Sequence, residues 1–282
     1  MSEPEARSCD IEQLEAYRKL SKVIRLDVLE MTYRKKAAFI GTSFSCADVL
    51  AVLYGGFLGK DALTSDDPNG NTFLLSKGHG ASAWYAALAN TGYFPKERLS
   101  EFNTSGSYLG VHPKRGGLPG VTISSGSLGH GLGLGCGLAL AKRIRGGQGK
   151  VCVLLGDGEC NEGSVWESAM FAKRFRLSNL IAIVDRNRLQ SYGTDREVLN
   201  MDDMTEKFRT FGWNALEVDG HDHGSIHTAL ATAWRELERP TVLIANTVKG
   251  KGCSLFENLV LWHYKWPEEE HYLQARKELE RQ

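Results

Sequence analysis

The chain has 282 residues, in which 34 Lys and Arg balance 34 Asp and Glu. That neutrality excludes a global field that would gather nucleic acid or an anionic membrane, and no apolar stretch approaches the roughly 20 residues needed to span a bilayer. The six cysteines include no C-x-x-C pair and lie mostly in apolar or helical runs, which predicts reduced thiols; with no signal-like N-terminus, the cytoplasm is the expected compartment.

In chain order, residues 10–38 predict a charged amphipathic helix with Leu14, Leu20, Val23, Ile24, Val28 and Met31 at apolar positions. A second helix is expected over residues 45–57, with Ser45 as its cap. A turn-rich patch from Thr64 to Asn71 leads into a short buried strand, Thr72–Leu75, then the polar loop Ser76-Lys77-Gly78-His79-Gly80 and a helix over Ala81–Asn90. Residues 103–126 read as loop, and one so long inside a compact domain usually has a functional job. A helix of small residues follows over Leu128–Ile144. Strands are expected at Val151–Leu155 and Leu180–Val184 with a helix between them, then at Ala215–Val218 and Thr241–Thr247 around a helix over His223–Glu238. A charged helix closes the chain. No repeat or low-complexity linker interrupts this order, so residues 1–282 are expected to form one α/β domain, a parallel sheet flanked by helices on both faces.

The unit from Val151 to Asn187 carries the most chemistry. Its first strand ends in Gly156-Asp157-Gly158 and its second in Asp185-Arg186-Asn187. In open α/β sheets ligands bind at that edge. The Asp157 carboxylate, the Asn187 amide carbonyl and the backbone carbonyl of Leu189 form a hard oxygen set that suits Mg²⁺ or Ca²⁺ holding diphosphate oxygens. Gly156 and Gly158 are expected to turn the backbone sharply and let a ligand approach. Asp-Gly is also a common turn pair; Asn187, after the second strand, is what favours a site over a turn.

With these features the chain resembles the thiamine-diphosphate-binding (PP) domain of transketolases, specifically the N-terminal subunit of the split-gene type. The likeness runs from about Tyr17 to Pro267 through motifs in the family's order: Ser76 to Gly80, Gly110-Val111-His112-Pro113, Ser124 to Gly131, Gly156-Asp157-Gly158 with Asn187, Asp219-Gly220-His221-Asp222, Val248 to Gly252, and Trp262-His263-Tyr264-Lys265. It implies the thiamine-diphosphate-binding fold and a transferase that moves a two-carbon unit from a ketose or α-keto acid donor to an aldehyde. Its cofactors would be thiamine diphosphate, which carries the hard chemistry, and Mg²⁺ (or Ca²⁺).

The same resemblance assigns residues. Asp157, Asn187 and Leu189 would hold the metal, and Gly156, Asp157, Gly158 and Asn187 the cofactor's diphosphate end. Gly126 and Leu128 would touch the aminopyrimidine through backbone groups; otherwise the glycines from Gly126 to Gly135 only permit tight packing. His79 lies near the diphosphate and substrate, His112 beside the thiazolium, and His263 against a substrate hydroxyl or carbonyl oxygen, His79 and His263 also counting as cofactor contacts. A lone histidine reads equally as a satisfied imidazole, and motif context is what favours a functional one. Glu162 and Glu167 match positions that face a partner domain in a carboxylate network and complete the catalytic set, although two solvated helix glutamates would look the same. His221, His223 and His227 have a zinc-like spacing, which is rejected because the Asp219-Gly220-His221-Asp222 stretch recurs in the family as a structural loop and no fourth ligand is apparent.

In the family, the glutamate that activates the cofactor belongs to a pyrimidine-binding domain, and no second α/β domain follows here. The chain begins with Met1 and ends in a polar helix, so a natural half-enzyme is expected. Its partner would be a C-terminal transketolase subunit carrying the pyrimidine-binding domain, in an α₂β₂ heterotetramer, with no nucleic acid or membrane partner. One position departs from the pattern: Phe39 stands where many transketolases place a histidine that contacts the sugar donor. An aromatic ring gives a ketose hydroxyl no strong hydrogen bond, which points to a pyruvate-like donor or a donor held differently; a merely repacked core residue is the alternative. Two other classes remain. A dinucleotide-dependent oxidoreductase would need G-x-G-x-x-G after a first strand and an acidic residue about 20 positions on, and neither is present. A non-catalytic thiamine-diphosphate-binding or scaffold subunit would have no use for His79, Asp157, Asn187 and His263 together.

Overall fold

The computed structural model describes residues 9–59 and 66–282, so Thr64 and Ser65 of the expected turn patch lie outside the described residues. Among the described residues five strands, β1 Thr72–Leu75, β2 Val151–Gly156, β3 Leu180–Arg186, β4 Asn214–Asp219 and β5 Thr241–Asn246, form one parallel sheet in the order β1-β2-β3-β5-β4. The α-helices among the described residues are α1 Ile11–Lys35, α2 Ile40–Ser45, α3 Ala47–Val52, α4 Ala81–Asn90, α5 His130–Ile144, α6 Gly163–Arg174, α7 Asp195–Leu199, α8 Met204–Thr210, α9 His223–Arg235 and α10 Glu269–Glu280.

Successive strand side chains point to opposite faces, and here both faces are covered. Leu75, Leu154, Ile183 and Leu243 share a core with α1, α2, α3, α4, α9 and α10. Their neighbours Leu74, Val153, Val184 and Ile244 pack under α5, α6 and α8. Double coverage is why the inner strands read as unbroken apolar runs, whereas edge strand β4 exposes Glu217 and Asp219.

Two expectations about helices are corrected. The second helix starts at Ile40, bends at Cys46 into α3 and ends in a π turn over Leu53–Phe57. Its start carries no capping side chain, only Phe39 in a left-handed backbone conformation, so nothing in the usual cap code marks it. Ser45 is not a cap: its hydroxyl donates to Thr42 O (2.9 Å) and to Asp185 Oδ2 (2.5 Å). The small-residue helix begins at His130, because Gly129 adopts a φ of 83° just before it. The unforeseen α7 and α8 carry signals that could have found them, since Thr194 forms a capping box with Glu197 and Asp203 accepts from Glu206 N. Asp10 likewise caps α1. The six cysteines are unpaired and five are buried. No helix among the described residues is long and apolar enough to cross a membrane.

The ladder positions the site. Gly156 is the direct partner of Asp185, and Asp157 N donates to Asp185 O (3.3 Å). The loops after β2 and β3 therefore leave the sheet side by side.

Candidate active site

A cavity of about 300 Å³ opens at those strand ends. Ten of the twelve expected site residues line it: His79, His112, Gly126, Leu128, Gly156, Asp157, Gly158, Asn187, Leu189 and His263. They come from the ends of β1, β2 and β3, the long loop, and the segment before α10. Glu162 and Glu167 are not among them. Both are exposed, Glu162 as the N-cap of α6 without a side-chain cap bond and Glu167 on the helix itself.

The oxygen donors gather in one corner. Asp157 accepts from Arg188 N (2.5 Å) and Gly158 N (2.8 Å), and Asn187 Oδ1 accepts from Leu189 N (3.1 Å). Leu189 O accepts from Lys249 Nζ (2.8 Å). Burial and then the charge of Asp185 push Asp157 up to about 6, and the donors in contact with it are two backbone N–H groups rather than a counter-charge. A divalent cation there would supply it, and the hard oxygen set fits such an ion. Of the two expectations for the glycines, the sharp turn is not met by a left-handed backbone. Neither Gly156 nor Gly158 has a positive φ; a Cβ on Gly156 would meet only Lys77 Cβ at 3.8 Å and Glu159 Cβ at 3.9 Å. Gly156 thus keeps open a cradle that the fold itself does not require.

Residues that sequence reasoning passed over hold the floor. Lys77 pairs with Asp185 out of contact with solvent, and Asp185 also accepts from Ser45 and Thr247 hydroxyls. Burial opposes both charges, but the pairing outweighs it, so Lys77 moves up and Asp185 down. Buried Glu159 accepts from Ser76 Oγ, Gly129 N (2.9 Å) and Gly156 N (3.1 Å), tying the ends of β1 and β2 to the start of α5. Gly78 is needed here, because a Cβ would approach Ser125 C and Gly126 N to 2.8 Å. Lys77 lies within a quoted motif, at the end of an apolar strand; Glu159 directly follows Gly158. Those placements were the available signals.

Phe39, His79, His112 and His263 form the apolar-to-polar wall. The Phe39 ring lies 5.7 Å from His79, 5.7 Å from His112 and 5.4 Å from His263, centroid to centroid. Lys249 Nζ donates to His263 Nδ1 (3.1 Å), which leaves the His263 proton on Nε2. Burial, then the Lys249 and Lys77 charges, lower His263 to about 3. Burial with the same cations holds His79 well below the usual imidazole range, and burial lowers His112. Lys249 is itself brought down to about 8 by burial and by Lys77. The site therefore presents neutral imidazoles and buried ammonium groups.

His221, His223 and His227 go elsewhere. His221 Nδ1 is 2.7 Å from Asp48 Oδ2 and its Nε2 accepts from Val248 N (2.8 Å), His223 Nε2 lies 3.2 Å from Asp48 Oδ1, and His227 bonds the Tyr17 hydroxyl (3.0 Å). A larger cavity, about 510 Å³, lies between α1 and the chain end; Arg25 and Asp48 line it together with His221, Lys251 and Gly252 of the motifs after β4 and β5.

A doubly covered parallel sheet whose strand ends gather these motifs defines a thiamine-diphosphate-binding α/β protein. Residues 16–279 match the family described as "Transketolase, thiamine diphosphate binding domain", and the chain belongs to that family. It is 36% identical over 267 residues to one subunit of the apulose-4-phosphate transketolase of Phocaeicola vulgatus, covering 95% of each chain. It is 37% identical over 262 residues to a 6-deoxy-6-sulfo-D-fructose transketolase subunit of a Clostridium species, covering 93% and 95%. The transketolase of Leishmania mexicana superposes with a TM-score of 0.85 at 27% identity, over 94% of this chain but 41% of that one. The chain thus spans nearly all of the two subunit relatives and about two fifths of the Leishmania enzyme. Its function is that of a thiamine-diphosphate-dependent, transketolase-type transferase, in the N-terminal subunit form.

Proposed function

We propose that this chain, as one 282-residue unit, is the N-terminal half of a two-subunit enzyme that transfers a two-carbon unit from a ketose or α-keto acid donor to an aldehyde acceptor. The observation that carries this is the convergence of Asp157, Asn187 and the Leu189 carbonyl with His79, His112 and His263 on one cavity. Bound thiamine diphosphate would supply the electron sink that lets a carbon–carbon bond beside a carbonyl break and form. Asp157, Asn187 and Leu189 O would hold Mg²⁺ or Ca²⁺ against its diphosphate, with Lys249 and Lys77 adding positive charge nearby. Gly126 and Leu128 would meet the aminopyrimidine through their backbone.

The chain's own contribution is orientation and proton placement. His263, fixed as the Nε2–H tautomer by Lys249, would donate to a substrate oxygen. His79 and His112, also neutral at working pH, would donate to or accept from neighbouring oxygens without competing for the metal as cations. The activating glutamate would come from a C-terminal companion subunit with a pyrimidine-binding domain, in an α₂β₂ assembly working in the cytoplasm. Relatives named as individual transketolase subunits support a partner. Glu162 and Glu167, exposed at the start of α6 and on it, would face it.

Calorimetric titration with thiamine diphosphate, with and without Mg²⁺, tests the site. Uptake is expected only with the cation, and loss of uptake in Asp157→Ala. Adding the companion should restore two-carbon transfer, abolished by a chelator. Cation-independent uptake would refute the assignment of the oxygen corner.

A further inference from the structure

Resting on that reading, Phe39 bears on which substrate carbon the cavity accepts. Imidazole, hydroxyl, amide, carboxylate and ammonium side chains line the cavity together with Leu128, Leu189 and Tyr264, and Phe39 brings a ring with no conventional donor or acceptor to the meeting point of three histidines. Its φ is 76°, a left-handed conformation that is an outlier for a bulky residue. Such strain persists where the surroundings over-determine it and clusters at ligand sites. Both of its backbone polar groups are engaged: N–H donates to His263 O (3.2 Å), and its carbonyl accepts from Ser43 N (3.2 Å). The ring is thereby held in the cavity wall.

We propose that Phe39 is a specificity-determining residue that selects, next to the reacting carbonyl, a carbon without a hydroxyl. The class is a methyl-bearing 2-oxo acid of the pyruvate type as donor, or an aldehyde of the acetaldehyde type as acceptor. A hydroxyl facing this ring would leave water without gaining a partner on that side, whereas a methyl group packs on it. For the oxo-acid donor the balance closes without an oxidant. The bond between carbonyl carbon and carboxylate breaks, carbon dioxide leaves, and the electron pair stays with the former carbonyl carbon. That pair forms the new bond to the aldehyde carbon, whose oxygen takes one proton from water, giving a hydroxyketone.

The test uses the complex with its companion, thiamine diphosphate and Mg²⁺, and two pairs differing by one hydroxyl: pyruvate against hydroxypyruvate, and acetaldehyde against glycolaldehyde. In at least one pair the unhydroxylated member should show the higher kcat/KM by about 10- to 100-fold, the range an apolar pocket gives against an added hydroxyl. Phe39→His should reduce that ratio by roughly tenfold, and Phe39→Leu should keep it. Preference for the hydroxylated member in both pairs overturns the proposal, as does a ratio unmoved by Phe39→His in a complex that still takes up cofactor. If Phe39→His does not assemble, the wild-type preference decides alone. Absence of cofactor uptake by the wild type would overturn the functional reading as well; uptake with the opposite preference overturns only this inference.

Discussion

Lys77 and Asp185 meet across the end of the sheet, one just past β1 and the other in β3, with neither side chain exposed. Gly156, on the strand between them, is the ladder partner of Asp185 and lies against Lys77. The cavity floor thus rests on a buried ion pair beside a position with no side chain. Removing one charge from such a pair strands the other, at about 3–5 kcal/mol. Lys77→Met is expected to lose stability on that scale, toward the lower end because Ser45 and Thr247 still donate to Asp185. Lys77→Met with Asp185→Asn should recover much of it. Urea unfolding of both variants decides; a neutral single variant would show the pair to be dispensable.

Gly156→Ala separates folding from binding. The position has no positive φ and a Cβ would touch nothing closer than 3.8 Å. Alanine in a strand is favoured over glycine by about 0.5–1 kcal/mol, so the melting temperature should hold or rise. Thiamine diphosphate affinity should fall by about tenfold if the cradle meets the cofactor backbone-to-ligand, as close approach requires. Unchanged affinity would remove Gly156 from the site.

His263 sets an acid dependence of stability. Its folded pKa of about 3 lies below the ordinary value of about 6.5, so the unfolded chain binds the proton first. The stability it contributes is present above about pH 6.5 and is lost as pH falls toward 3. By pH 5, discounted for its partial exposure, this amounts to about 1–2 kcal/mol. Unfolding measured from pH 7.5 to 5 should show a steeper loss for the wild type than for His263→Gln. Parallel curves would refute the depressed imidazole.

Glu162→Gln should leave the chain folded. The residue is exposed and makes no side-chain cap bond, so only its charge near a helix start is lost, about 0.3–1 kcal/mol. Turnover of the reconstituted complex should nevertheless drop. Wild-type turnover would identify Glu162 as a solvated helix glutamate and nothing more.

The strands and the Gly156-Asp157-Gly158 and Asn187 motifs were legible because they are local. Apolar runs, turn glycines and polar strand ends lie within one crossover unit, and β1 and α4 matched their expected bounds. The start of α2 was not legible, since it rests on an uncapped, strained Phe39. Neither was the backbone of Gly156, whose sequence context suggests a turn while it closes β2 without a positive φ.

Sequence by itself determined which chemical groups the chain carries and the order in which strands deliver them, because period and motif are properties of neighbouring residues. Tertiary structure alone decided which of those groups meet. The Lys77–Asp185 pair spans 108 positions of sequence, and Phe39 reaches His79, His112 and His263 only after four separate segments pack at one edge. Such contacts arise from strand order, register and burial, which no local pattern encodes, and burial is also what lowers the imidazoles and raises Asp157.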